Sequence, residues 1–354
     1  MNVMTHIESL PENDARDFGR IVRLLKAQPE AEPSPGLHGR IAAQLPKRPR
    51  LPKAWWWVPV AASLAVVFSL ASMLQNRSPS TGKNWLAENQ EADGTWDPAR
   101  HGGVEAFRPA LTALALLALR QEGEAAYPGQ VAKGASALIA LQAADGAFGG
   151  DDGQAKLYNL AMATYALAVC GADAAALSRA IGQIRSSQGP DGSWTYTQEG
   201  SAAVTAWMTR ALACAEAHGH TEASVPLRKG LLWLRGHVRD DGRMAYHPTS
   251  APSDTLTALS AYSLIEAGGK FPDLQTLGIR MTDALGIQPS SATAPDCYRD
   301  YAKIIAFESA GKTASAENIR KQVRQRRQDN PQDQWRIAGG KLYTVALTTL
   351  CRAQ

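Results

Sequence analysis

Few residues in this chain could make or break bonds, and their spacing narrows the chemistry further. The four cysteines, Cys170, Cys214, Cys297 and Cys351, stand far apart, with no CxxC pair and no Cys/His cluster at metal-ligand spacing. The pattern gives no support to thiol redox chemistry or to a Zn²⁺ centre. Three of the cysteines fall in Ala/Leu-rich runs, where a buried thiol behaves as a small hydrophobe. His218 and His220 share one loop, and His237 and His247 flank another, positions that suit solvated or capping rings. Asp151 and Asp152 lie in the Gly-rich stretch GGDDGQAK and solvate a loop. The acids of more interest are Asp254 and Asp296, each opening an apolar helical run. A carboxylate there is favoured by the helix dipole and can cap free N–H groups. That structural duty competes with service as a proton donor or acceptor.

The elements that position these residues repeat. WLAENQEADGTW (85–96), LIALQAADGAF (138–148), IGQIRSSQGPDGSW (181–194) and LLWLRGHVRDDGRM (231–244) share an apolar helix end, then Asp-Gly, then a large apolar residue. The Asp-Gly pairs start at Asp93, Asp145, Asp191 and Asp241, a period of about fifty residues that fits a helix-pair repeat. In the first three units Gln90, Gln142 and Gln188 stand three residues before the Asp, and Trp96, Phe148 and Trp194 three after it. The fourth unit lacks the Gln and carries Met244 at the aromatic position. Asp-Gly makes a tight turn, Gly taking positive φ and Asp bonding local N–H groups. The Gln is placed to reach carbonyls left unpaired at the helix end. After each turn comes a helix that is apolar nearly all round (110–120, 157–170, 202–217, 254–267), which predicts an interior layer. The helices before the turns are amphipathic and belong outside.

QxxDGxW followed by an apolar helix resembles the QW-type repeat of the terpenoid-cyclase and protein-prenyltransferase α/α toroid superfamily, over residues 84–354. Two degenerate units, 274–310 and 316–353, bring the total to about six helix pairs. Their runs DCYRDYAKIIAFESAG and GGKLYTVALTTLCRA are similar to the closing repeats of bacterial membrane-anchored members. The fold that the resemblance implies is all-α. The catalytic motifs of the superfamily are not carried with it: neither DxDD nor DDxxD occurs in the sequence. The prenyltransferase zinc ligands correspond most nearly to Pro295-Asp296-Cys297-Tyr298 and to Tyr343, with Pro in the place of the ligand Asp and Tyr near that of the His. No cofactor or metal is expected on this basis. The resemblance further implies a central cavity ringed by the early turns of the inner helices, where Arg108, Tyr158, Trp207, Asp254, Asp296, Tyr298, Tyr301 and Tyr343 fall. Tyr and Trp combine an apolar body with a polar edge, as a lined pocket needs.

The residues ahead of the repeats point to a membrane. Trp55 to Leu74 reads WWWVPVAASLAVVFSLASML, without a charge, and as a helix would span roughly 30 Å. Arg40, Lys47, Arg48, Arg50 and Lys53 precede it, whereas only Arg77 and Lys83 closely follow. The positive-inside bias places the N-terminus in the cytoplasm and the repeats in the periplasm of a bacterial inner membrane. The expected organisation is a leader at 1–53, a transmembrane helix at 54–75, a linker at 76–83 and the repeat domain at 84–354. The leader, with one amphipathic helix over 14–27 and a Pro/Glu break, resembles those of anti-sigma factors, which would give it a cytoplasmic protein partner. A net charge of +4 is too small to argue for nucleic acid. The reading these features favour is a membrane-anchored domain that binds a hydrophobic or isoprenoid ligand or a protein, without catalysis. An isoprenoid enzyme and a transmembrane regulator are the alternatives.

Overall fold

The computed structural model describes residues 82–352, except 122–125, 150–152, 172, 196–199, 247–249, 268–269, 291–295 and 330–339. The expected leader and membrane span lie outside the described residues. Within those residues no helix is long and apolar enough to cross a membrane.

The described residues are all-helical, as expected. The helices are α1 (Gly82–Glu88), α2 (Arg108–Arg120), α3 (Pro128–Ala140), α4 (Gly153–Val169), α5 (Ala174–Ser186), α6 (Ala202–Ala217), α7 (Ser224–Gly236), α8 (Asp254–Glu266), α9 (Pro272–Asp283), α10 (Cys297–Ser309), α11 (Thr313–Asp329) and α12 (Gly340–Arg352). Odd and even helices differ in the way their sequences require. In α7, SVPLRKGLLWLRG, only the stripe Pro226, Leu227, Gly230, Leu231 and Leu234 is buried, the spacing of one helix face. In α2, RPALTALALLALR, every residue from Pro109 to Leu119 is buried. Such a helix needs neighbours on all sides, and the contacts supply them. α2 packs on α4, α4 on α6, α6 on α8, α8 on α10, α10 on α12, and α12 back on α2. The even helices thus form a closed cycle of contacts. Most odd helices lie against two of its members, α3 against α2 and α4 and α11 against α10 and α12, for example.

The turns between pairs are built alike. Gly192 has φ +94°, and a Cβ there would stand 2.8 Å from the Lys229 carbonyl oxygen, so the turn abuts the backbone of the next odd helix. The Asp Oδ1 accepts from the backbone N–H two residues on, Thr95 at 2.8 Å from Asp93, Ala147 at 3.0 Å from Asp145 and Ser193 at 3.0 Å from Asp191. The Gln does more than end its own helix. Gln188 Nε2 donates to the turn carbonyl of Gly192 and to that of Pro226 in α7, both at 2.9 Å. Gln90 bonds Gly94 and Gln130, and Gln142 bonds Gly146 and Ala176, in the same way. One amide therefore ties each turn to the first turn of the next odd helix. Trp194 is fully buried, and its Nε1 donates to the Ile184 carbonyl at 2.8 Å. Trp96 does the same to Leu86 at 2.7 Å.

Candidate functional site

The inward faces of the even helices follow from helical spacing. Tyr158 and Tyr165 in α4, Trp207, Arg210 and Cys214 in α6, and Tyr298 and Tyr301 in α10 are three, four or seven residues apart, and so share a face. Side chains on these faces meet although their helices are not neighbours in the cycle. Trp207 Nε1 donates to Tyr298 Oη at 2.6 Å, and the two rings stack with centroids 6.4 Å apart and planes 14° from parallel. Since α8 lies between α6 and α10 in the cycle, this pair reaches across its interior. Burial pushes the Tyr298 phenol well above its usual pKa, and the phenols of Tyr158 and Tyr343 add to the shift. Four even helices thus contribute to one aromatic layer.

One helical turn further along sits Arg210, only 8 % exposed. Its guanidinium carbon lies 4.2 Å from the ring centre of Tyr165, 4.5 Å from Tyr262, 5.1 Å from Trp207 and 5.7 Å from Tyr301. Arg210 Nη2 donates to Tyr165 Oη at 2.9 Å. Its Nε and Nη1 are buried and have no hydrogen-bond partner. Burial works against the charge, but the phenol oxygens of Tyr165, Tyr262 and Tyr301 outweigh it and hold the pKa well above the ordinary arginine value. Burial likewise raises the pKa of Tyr262 and Tyr301, so these phenols stay protonated. A turn beyond Arg210, burial pushes the Cys214 thiol up to about 11, with Arg210, Cys170 and Arg120 as its charged or ionisable neighbours. The inert thiol expected of a buried Cys in an apolar run fits this shift.

Of the residues singled out from the sequence, Tyr158, Trp207, Tyr298, Tyr301 and Tyr343 belong to these interior layers. Arg108 does not. It pairs with Glu105 at 2.5 Å and Asp97 at 3.2 Å and donates to Thr95 Oγ1 at 3.1 Å, fastening the first turn to the start of α2. Asp254 is bound to Arg243 at 2.8 Å and approaches Lys303 Nζ at 3.6 Å. The cap of α8 is Ser253 rather than Asp254, its hydroxyl accepting from Leu256 N. Asp296 does cap α10, accepting from Arg299 N at 3.1 Å. Both carboxylates are thus committed to bonds that hold the helix starts. Among the described residues, no group of three or more His, Cys, Asp and Glu side chains is gathered as a metal site.

Sequence reasoning missed Arg210, Tyr165 and Tyr262. The signal was present: Arg210 is the only charged residue from Ala202 to Ala215 in an otherwise apolar helix, and Tyr165 stands two turns after Tyr158 on the same face. No family model and no curated protein matches the chain.

Proposed function

We propose that residues 84–354 form an α/α toroid that binds a hydrophobic ligand within its cycle of even helices. We further propose that the span at 55–74 tethers it to the inner membrane, with the leader in the cytoplasm and the toroid in the periplasm. The closed order of helix contacts and the four matching turns support the toroid. The observation that carries the binding reading is the aromatic layer. Tyr158, Tyr298 and Tyr343 remain partly exposed on helices most of whose other apolar side chains are buried. Inside a cycle of packed helices, partly uncovered aromatic rings mark space that a close-packed core would have filled. Binding without catalysis is favoured because the two acids at the helix starts, Asp254 and Asp296, are already engaged by Arg243, Lys303 and the α10 backbone.

Native mass spectrometry of the full chain, after incubation with a membrane lipid extract, tests the binding. A bound apolar molecule is expected, and Trp207→Ala should reduce its occupancy. A chain that stays empty, with the fold intact, would contradict the reading. For topology, a reporter active only outside the cytoplasm, fused after Gln354, should be active. A silent fusion would overturn the orientation.

A further inference from the structure

The Arg210 cage leaves buried donors unmatched. Nε–H and Nη1–H of Arg210 are buried without a partner. Tyr165 Oη already accepts from Nη2, so its own proton is free to be donated. Tyr301 Oη is likewise a hydrogen-bond partner of Arg210. With Tyr262, these groups arrive from four helices, α4, α6, α8 and α10. No salt bridge from a carboxylate to Arg210 is present among the described residues: Asp254 is held by Arg243 and Glu216 by Lys270, and Glu266, the acid that acts on Tyr262, accepts from Ser309.

A buried cation without a counter-ion is costly, and aromatic faces offset only part of that cost. The ring centres lie within 5.7 Å of the guanidinium carbon, but a ring face is not a hydrogen-bond acceptor for the N–H groups, which need one in their plane. Nothing about packing calls for a charge here, since the neighbouring positions of α6 are Ala, Thr, Met and Leu. The missing component is an anion. Its charge is set by the cage, in which Arg210 is the sole cation among the described groups facing the three phenols. One guanidinium balances one carboxylate, whereas a phosphate dianion or a diphosphate would leave charge uncompensated. Its other end is set by the layer of Trp207, Tyr298, Tyr158 and Tyr343, which offers aromatic surface one turn away.

We propose that Arg210, with the hydroxyls of Tyr165, Tyr262 and Tyr301, binds the carboxylate head of a long-chain monocarboxylic acid whose apolar tail runs along the Trp207–Tyr298 layer. The site rests on the reading of the cycle's interior as ligand space and adds the chemistry of the head group. The carboxylate accepts the N–H and O–H groups that the protein leaves unanswered. Charged hydrogen bonds of this kind are the strong ones in a dry setting.

The test is competition photolabelling of the full chain in its membrane, with diazirine-bearing palmitate and its methyl ester as probes. Labelled peptides are mapped by mass spectrometry, at mildly alkaline pH so that the acid is ionised. The acid probe should label peptides of α4, α6, α8 and α10. Unlabelled palmitate should displace it at a concentration at least about tenfold below that of methyl palmitate or dodecyl phosphate. Arg210→Gln should remove that preference for the acid over the ester. Tyr165→Phe, which keeps the ring against the guanidinium, should weaken the preference and guards against a folding defect in the first variant. If methyl palmitate competes as well as palmitate, the carboxylate site is refuted while the apolar ligand space stands. If dodecyl phosphate competes better than palmitate, the head-group assignment is overturned. If neither probe labels those helices, both this site and the ligand-binding reading fail.

Discussion

The turns and the centre of the helix cycle treat polar groups in opposite ways. At the first three turns the Gln and Asp side chains of the repeat, and its tryptophans, are matched. Gln188 spans two carbonyls, Asp191 receives the Ser193 N–H and hydroxyl and the Trp233 indole N–H at 3.0 Å, and Trp194 gives its own N–H to Ile184. At the centre, Arg210 keeps two buried N–H groups unmatched amid three phenols. A matched network rigidifies a structure, and an unmatched one costs stability unless something else completes it. The turns are thus built for the fold, whereas the centre, on the proposed reading, is built for a ligand. Substitutions in the two regions should differ in sign as well as size.

The largest loss belongs to the turns' aromatic plugs. Trp194→Ala removes a fully buried indole and should cost roughly 3–5 kcal/mol, read from chemical denaturation of the full chain.

The turn glycines come next, and they separate the strict turns from the relaxed fourth one. A Cβ at Gly146 would stand 2.2 Å from the Arg179 carbonyl oxygen, whereas at Gly242 the nearest atom is 3.7 Å away. Both glycines have positive φ, +90° and +78°. Gly146→Ala should therefore cost roughly 2–5 kcal/mol, from left-handed strain plus a backbone clash. Gly242→Ala should cost roughly 1–2 kcal/mol from the strain alone. Equal losses would show that the fourth turn is held as tightly as the others, despite lacking the Gln.

The smallest effect is a pH dependence at the same turns. Burial opposes the Asp191 charge, but the bonds from Ser193 and Trp233 outweigh it and hold the carboxyl below its usual pKa. For a carboxyl whose folded pKa is depressed, the stabilisation is fully present above the unfolded value, about 4, and is lost as pH falls through the folded value. Asp191→Asn should therefore lower the melting temperature at neutral pH and narrow its gap from the wild type in acid. A gap that is constant with pH would show that the carboxylate charge does not matter.

The contrast between regions also explains what the sequence disclosed. Turns advertise themselves because backbone geometry constrains residue type locally. Asp191-Gly192 and the Trp194 that follows can be read from a dozen residues, and so can the alternation of α7 with α8. The partners of Gln188 could not be read this way, because Pro226 lies 38 residues on and no local rule links them. Of the interior, the layer of Trp207, Tyr298, Tyr158 and Tyr343 was foreseen, whereas the cage around Arg210 was missed for the same reason in stronger form. Arg210, Tyr165, Tyr262 and Tyr301 come from four helices, and only closing the cycle brings them together. Asp254 misled because a carboxylate at a helix start looks like a cap, whereas the structure gives that task to Ser253 and turns Asp254 toward Arg243.

The claim that the centre serves a ligand rather than the fold is tested most directly by the stability of Arg210→Met, measured on ligand-free protein. Met occupies similar volume without the charge, and relieving an uncompensated buried cation commonly stabilises a fold or leaves it unchanged. The account predicts a melting temperature equal to or above that of the wild type. A loss approaching that of Trp194→Ala would contradict it, and would make the cation and its four rings a structural keystone of the helix cycle.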